Sequence, residues 1–171
     1  MNTVLLANLI KIRWIAILGQ LITLVTIFFV FIFTIPLIEC LFVVLLSILV
    51  NFSSYFIQRG NSTLTDKKTF LFLLFDISQL VGLLFLTGGV FNPFVVLILA
   101  PIIISASYLS ALSTILLSMY SIVLILIINF NYIPLNWEQN FIIPSIYNIG
   151  ILISLIITII FVAIYAYLFA S

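Results

Sequence analysis

The chain has 171 residues, of which 66% are hydrophobic and 5% are charged, and its mean hydropathy is +1.53. Five basic and four acidic side chains are too few to cover the surface of a soluble globular enzyme, in which about 25% of residues are charged. A net charge of +1 excludes a basic nucleic-acid-binding surface, and a single cysteine excludes a disulfide framework. The composition therefore predicts an integral membrane protein.

Six apolar segments are long enough to cross a bilayer, because a hydrocarbon core of about 30 Å needs roughly 20 helical residues. The uncharged stretch 93–128 would measure about 54 Å as one helix, so we expect a break within its small and polar part, 105–113. Strict alternation of apolar and polar residues, which is typical of a membrane β-barrel, is missing. We predict one domain, 1–171, that is an all-α, six-transmembrane-helix bundle with spans near 14–33, 37–57, 69–86, 93–109, 111–128 and 146–170.

The basic residues predict the orientation of the bundle. Lys11 and Arg13 precede the first span, and the remaining three cations lie in the hydrophilic stretch between the second and third spans, 58–68. Since cytoplasmic loops carry the excess of Lys and Arg, both regions and both termini are expected on the cytoplasmic side. The first apolar run is too long for a cleavable signal peptide.

The turn after the third span contains the first candidate site. Gly88 and Gly89 suit a helix C-terminus, while Asn92 and Pro93 suit the start of the next helix, so the segment is explained as a tight helix–helix turn. The same residues also suit a quinone head group, because backbone N–H groups near glycine can be approached closely and an amide can donate and accept hydrogen bonds. Under that interpretation, aromatic rings would stack on the ligand, and the site residues are Gly88, Gly89, Phe91, Asn92, Pro93 and Phe94.

A second candidate lies inside the third span, where Asp76 and Gln79 share one helix face. A carboxylate within a membrane is energetically costly and is therefore a functional candidate. Alternatively, Asp76 holds two helices together through a polar contact, with Gln20 of the first span as its partner. Asp76 lies about 18 Å along the helix from Gly88, so it is expected to couple or pack helices rather than contact a head group at the glycines.

Two further patterns have simpler explanations. Ser110, Thr114 and Ser118 recur every four residues and predict close helix packing, within the chain or across a homodimer. Cys40 is expected to be a buried thiol. The chain has no histidine, so no metal site is predicted and most metal and hydrolase constellations cannot form.

Four blocks of sequence resemble the membrane region of the RegB/PrrB/ActS family of redox-responsive sensor histidine kinases. They are 9–20 (LIKIRWIAILGQ), 75–80 (FDISQL), 84–94 (LFLTGGVFNPF) and 99–106 (LAPIIISA), and the third contains the family's GGxxNPF heptapeptide. The resemblance implies a bacterial inner-membrane, multi-pass sensor whose heptapeptide binds ubiquinone or another membrane quinone. Gly88, Gly89, Asn92, Pro93 and Phe94 match the motif.

Family members continue into a phospho-accepting helix and an ATP-binding domain, whereas this chain ends at Ser171 without a histidine. We therefore expect the chain alone to be non-enzymatic and to act with a cytoplasmic histidine kinase portion that is encoded separately. Two alternatives remain open: a small multi-span transporter or channel, with Asp76 and Gln79 along a polar path, and a non-functional truncated remnant of such a kinase. The expected partners are lipid, a quinone and a second copy of the chain, and no nucleic acid.

The orientation is testable by cysteine labelling. In a Cys40→Ser background, single cysteines at Asn61 and Asn136 should react with a membrane-impermeant maleimide from opposite sides, because one lies in the basic stretch and the other in the last predicted outer loop. Labelling of inverted and right-side-out vesicles measures this. Reaction of both cysteines from the same side would contradict the six-span orientation.

Overall fold

The computed structural model describes residues 6–29, 35–57 and 65–134, together with positions 149, 151, 152, 155, 156, 159 and 160. Within these ranges all regular secondary structure is helical, as predicted, and no strand is present. The elements are α1 (Leu6–Phe29), α2 (Leu37–Ile57), α3 (Asp66–Leu86), two 3₁₀-helices (Gly89–Phe91 and Pro93–Ile98), α4 (Leu99–Tyr108) and α5 (Ala111–Phe130).

Three of the described helices are long and apolar enough to cross a membrane, namely Leu37–Phe56, Asp66–Leu86 and Ala111–Phe130. The sixth predicted span, 146–170, lies largely outside the described residues; its described positions are helical, and Leu155 and Ile159 are buried. The number of spans and the side of each terminus stay predictions.

The first helix begins earlier than the sequence analysis placed it. The predicted span started at Trp14, whereas α1 starts at Leu6 and carries both Lys11 and Arg13 within the helix. Arg13 is 5% exposed, so it is not part of a solvated loop before the span. The physical reason is that a buried partner compensates its charge, which a count of basic residues along the chain does not reveal.

The fourth segment combines two helix types. Residues 93–98 form a 3₁₀-helix and α4 continues to Tyr108, so that the whole segment measures about 27 Å, close to the thickness of a hydrocarbon core. The chain then breaks at Leu109, whose backbone is extended, inside the stretch where a break is expected. Ser110 begins α5 as its N-cap, because its side chain accepts a hydrogen bond from the backbone N–H of Ser113.

Helix α3 is central, since it packs against α2, α4, α5 and both 3₁₀-helices, while α1 packs mainly on α2. Thr114 and Ser118 are buried inside the chain, where α5 packs against α3 and α4. The small-residue pattern therefore serves packing within the described fold, and a homodimer is left as a proposal. Cys40 of α2 is fully buried, as predicted, in an apolar cluster with side chains of α1 and α3.

The elbow, defined here as residues 87–94, joins α3 to the fourth segment through two left-handed glycines. Gly88 has a φ of 102° and Gly89 a φ of 61°, values that L side chains rarely adopt. A Cβ on Gly89 would lie 2.8 Å from both Cβ and Cγ of Tyr132 and 3.0 Å from the carbonyl oxygen of Ile128. The chain after α5 thus lies directly on the elbow, and the backbone N–H of Ile133 donates to the carbonyl oxygen of Phe85 at 2.8 Å.

Replacing Gly89 with alanine should destabilise the protein by about 1–3 kcal/mol, because the methyl group is strained in the left-handed region and meets Tyr132. Unfolding by SDS in mixed micelles measures the change. Gly82→Ala is the matched control, since a Cβ there would meet Val43 at an ordinary 3.8 Å. Equal stability of the two variants would show that the elbow is not packed in this way.

Candidate functional site: a cavity between α1, α3 and α4

The side chain of Asn92 is used within the elbow itself. Its Nδ2 donates to the carbonyl oxygen of Thr87 at 2.9 Å and to the Thr87 hydroxyl at 2.7 Å, and its Oδ1 accepts from the backbone N–H of Phe94 at 2.9 Å. Asn92 is 4% exposed and Val90 1% exposed. Both polar atoms of the amide therefore stabilise the turn, which agrees with the structural explanation of this segment.

A buried ion pair joins α1 to α3. Nε and Nη2 of Arg13 donate to the same oxygen of Asp76, Oδ1, at 2.9 and 2.7 Å. The guanidinium carbon also lies 5.1 Å from the ring centre of Phe72 and 5.5 Å from that of Phe75, within the range of cation–π attraction. The carboxylate that the sequence analysis placed inside the membrane is thus compensated by a cation of the neighbouring helix.

A pair of amides joins the same two helices. Nε2 of Gln20 donates to Oε1 of Gln79, and Nε2 of Gln79 donates back to Oε1 of Gln20, each at 3.1 Å. Gln20 was expected to be a partner of Asp76, but it pairs with Gln79, and Asp76 pairs with Arg13. Arg13 was not predicted as a partner, because the positive-inside rule placed it before the first span. The available signal was its spacing of seven residues from Gln20, which puts both on one face of α1.

Beside these two pairs lies a cavity of about 370 Å³, bounded by α1, α3, α4 and the second 3₁₀-helix. This volume falls at the lower end of the roughly 300–1,000 Å³ of typical small-molecule sites. Its wall is mainly aliphatic, and it is partly open to the outside, with Ile15 of α1 70% exposed and Leu97 of the second 3₁₀-helix 44% exposed. The polar side chains in its wall are Arg13, Gln20, Ser47, Asp76 and Gln79.

A smaller cavity of about 40 Å³ continues toward the elbow and is lined by Thr87 and Asn92. This space is too small for an aromatic ring. The two cavities share Phe94 in their walls, together with Gln20, Leu80 and Leu97. Phe94 is therefore the residue of the heptapeptide that borders the larger space.

The structure thus separates the residues that the sequence analysis grouped as one binding site. Phe94 and Asn92 border cavities, whereas Gly88, Gly89 and Phe91 shape the turn. The ring of Phe91 packs against that of Tyr132, with centroids 5.7 Å apart. Pro93 begins the second 3₁₀-helix, and its side chain lies outside the described part of the structure. Asp76, Gln79 and Gln20 meet at the cavity, where they offer hydrogen bonds in an apolar surrounding.

The ion pair should be needed for stability. Asp76→Ala should lower the free energy of unfolding by about 3–5 kcal/mol, because it leaves the charge of Arg13 uncompensated at a buried position, and Arg13→Ala should lower it by less, because the carboxylate that remains is partly exposed. The double variant should lose less than the sum of the two. Denaturation by SDS measures all three, and Lys11→Ala, which removes an exposed cation from the same helix, should change little. Additive losses would contradict direct coupling of the two side chains.

The comparisons with known proteins agree with the sequence resemblance. The sensor histidine kinase RegB of Cereibacter sphaeroides is 34% identical to this chain over 163 residues, which cover 94% of the chain and 35% of that protein. The chain thus spans about a third of the length of the curated relative that it matches. No family model and no solved structure matches. The chain therefore corresponds to the membrane region of RegB-family sensor histidine kinases.

Proposed function

We propose that this chain is the membrane-embedded sensor portion of a RegB-type two-component system, in a bacterial inner membrane, and that a membrane quinone is its ligand. The relative that it matches is a sensor histidine kinase. Because the chain has no histidine, it would act through a kinase portion outside these 171 residues and would not itself be an enzyme.

One observation carries the proposal of a quinone: the cavity of about 370 Å³ with an aliphatic wall, a phenylalanine from the heptapeptide and a few polar side chains on one side. A quinone head group is a flat apolar ring with two oxygen atoms at its edge, and its isoprenoid tail prefers lipid. The opening between α1 and α4 would let the tail leave toward the bilayer while the ring stays inside.

The sizes of the two cavities favour one position for the ring. The space beside Asn92 is about 40 Å³, and the amide of Asn92 already bonds within the elbow, so the ring belongs in the larger cavity. The elbow then contributes indirectly. Its two left-handed glycines and the Asn92 cap fix the start of the second 3₁₀-helix. The start of that helix in turn fixes the position of Phe94.

A ligand in this cavity would act on how α1 is held to α3. The two helices are joined by the Arg13–Asp76 and Gln20–Gln79 pairs, and both pairs border the cavity. A ligand can shift such an equilibrium only by the difference between its affinities for the two arrangements. Oxidised and reduced quinone differ in the hydrogen bonds that they can make with these groups, and this difference would supply the signal.

Quinone binding by the purified protein in lipid nanodiscs tests the proposal. Decylubiquinone should bind to the wild type, and Phe94→Ala should weaken binding on the order of tenfold, because the aromatic contact between this cavity-lining side chain and the ring is lost. Asn92→Ala should also weaken it, through the position of Phe94.

Phe42→Ala is the matched control, since Phe42 lies on α2 with 59% of its surface exposed and does not border either cavity. This variant should bind decylubiquinone as the wild type does. Equal affinity of the wild type, Phe94→Ala and Asn92→Ala would contradict the proposed site.

A further inference from the structure

One oxygen of the partly buried Asp76 carboxylate has no role in the ion pair. Both hydrogen bonds from Arg13 go to Oδ1 of Asp76, and among the described residues no hydrogen bond reaches Oδ2. The side chain of Asp76 is 25% exposed, whereas that of Arg13 is 6% exposed, and Asp76 borders the large cavity. A charged acceptor, with one oxygen that no described residue bonds, therefore lies in the wall of a mainly apolar cavity.

We propose that Asp76 is the redox-discriminating residue of this cavity and that its carboxylate accepts a hydrogen bond from a ring hydroxyl of the reduced, hydroquinone form of the ligand. This inference rests on the proposed function, since it takes a quinone as the occupant of the cavity. It assigns to Asp76 a direct contact with the ligand. The distance along α3 between Asp76 and Gly88 excludes that contact only for a ring bound at the glycines.

The chemistry of the two redox forms explains the assignment. A hydroquinone carries two O–H donors, whereas a quinone carries two carbonyl acceptors and no donor. An ionised carboxylate can only accept hydrogen bonds, so it attracts the hydroxyl of the reduced form and repels the carbonyl oxygen of the oxidised form. A hydrogen bond to an ionised acceptor is roughly twice as strong as one between neutral groups, and the apolar surrounding strengthens it further.

The neighbouring amides of Gln20 and Gln79 can bind the oxidised form of the ligand. Each Nε2 of Gln20 and Gln79 carries two hydrogens and spends one of them on the reciprocal amide pair. Because both residues border the cavity, the remaining hydrogens can donate to a quinone carbonyl. The site therefore accepts both redox forms, and Asp76 sets the ratio of the two affinities.

Arg13 has a positioning role in this scheme. It fixes the carboxylate by two hydrogen bonds to Oδ1, and its guanidinium group lies within cation–π range of the rings of Phe72 and Phe75. Because Oδ1 already accepts two hydrogen bonds, Oδ2 is the oxygen that is available to a ligand. The arrangement keeps the buried charge compensated while one oxygen stays available to a ligand.

The decisive variant is Asp76→Asn. Since both donors of Arg13 need an acceptor, the amide oxygen of the new side chain would take the place of Oδ1, and its NH₂ group would replace Oδ2 at the cavity. A charged acceptor is thereby exchanged for a neutral donor. The affinity for the reduced form should fall relative to that for the oxidised form, and the ratio should change on the order of tenfold.

The experiment is equilibrium binding of decylubiquinone and decylubiquinol to the protein in lipid nanodiscs, under anaerobic conditions for the reduced probe. The ratio of the two dissociation constants is the readout, because both forms are measured on the same preparation and a loss of folded protein lowers both signals equally. Asp76→Glu keeps a carboxylate and should keep the direction of the wild-type preference. Asp66→Asn, the same chemical change at the start of α3 and outside the cavity, should leave the ratio unchanged.

The outcomes separate this inference from the proposed function. A tenfold shift of the ratio toward the oxidised form in Asp76→Asn alone would support the inference. Binding of both probes to the wild type with an unchanged ratio in Asp76→Asn would overturn it and leave the proposed function standing. Failure of both probes to bind to the wild type would overturn the proposed function and the inference with it.

Discussion

The buried ion pair between Arg13 and Asp76 is the interaction on which the described arrangement depends. Charges are costly inside a membrane protein unless they are paired, and here each side chain compensates the other between two neighbouring helices. The pair also explains why α1 can carry an arginine at a buried position. Without it, Arg13 would be an uncompensated charge at a buried position of α1.

The way in which α1 is held produces the cavity. α1 packs mainly on α2, and α4 packs on α3 and α5, so among the described helices none fills the space between α1 and α4. Two side-chain pairs, Arg13–Asp76 and Gln20–Gln79, connect α1 to α3 beside this space. An apolar space bordered by polar groups follows from this geometry, and such a space suits a lipid-soluble ring with polar edges.

The heptapeptide suggests a single binding site, but the elbow and the cavity have separate roles. The glycines and Asn92 form a closed turn whose polar atoms bond within the chain and against which Tyr132 packs. Only Phe94 extends from this turn to the larger cavity. A rigid turn at one end of a binding space can define the position of a contact residue without touching the ligand itself, which is the role that we assign to it.

The sequence by itself determined the class of protein, the helical state of the chain and the family resemblance. These follow from hydrophobicity, from segment length and from local turn chemistry, which act between residues that are close along the chain. It also identified Asp76 and Gln79 as neighbours on one helix face. The break at Leu109 falls where small and polar residues interrupt the apolar run.

Only the tertiary structure decided the partners of these side chains. Arg13 and Asp76 are 63 residues apart, and Gln20 and Gln79 are 59 apart, so no local pattern links them. The positive-inside rule placed Arg13 before the first span because the rule treats basic residues as solvated and takes no account of a partner on another helix. The closed state of the elbow likewise depends on Tyr132, which reaches Gly89 only after α5 has returned across the bundle, since contacts between distant segments are fixed by helix packing.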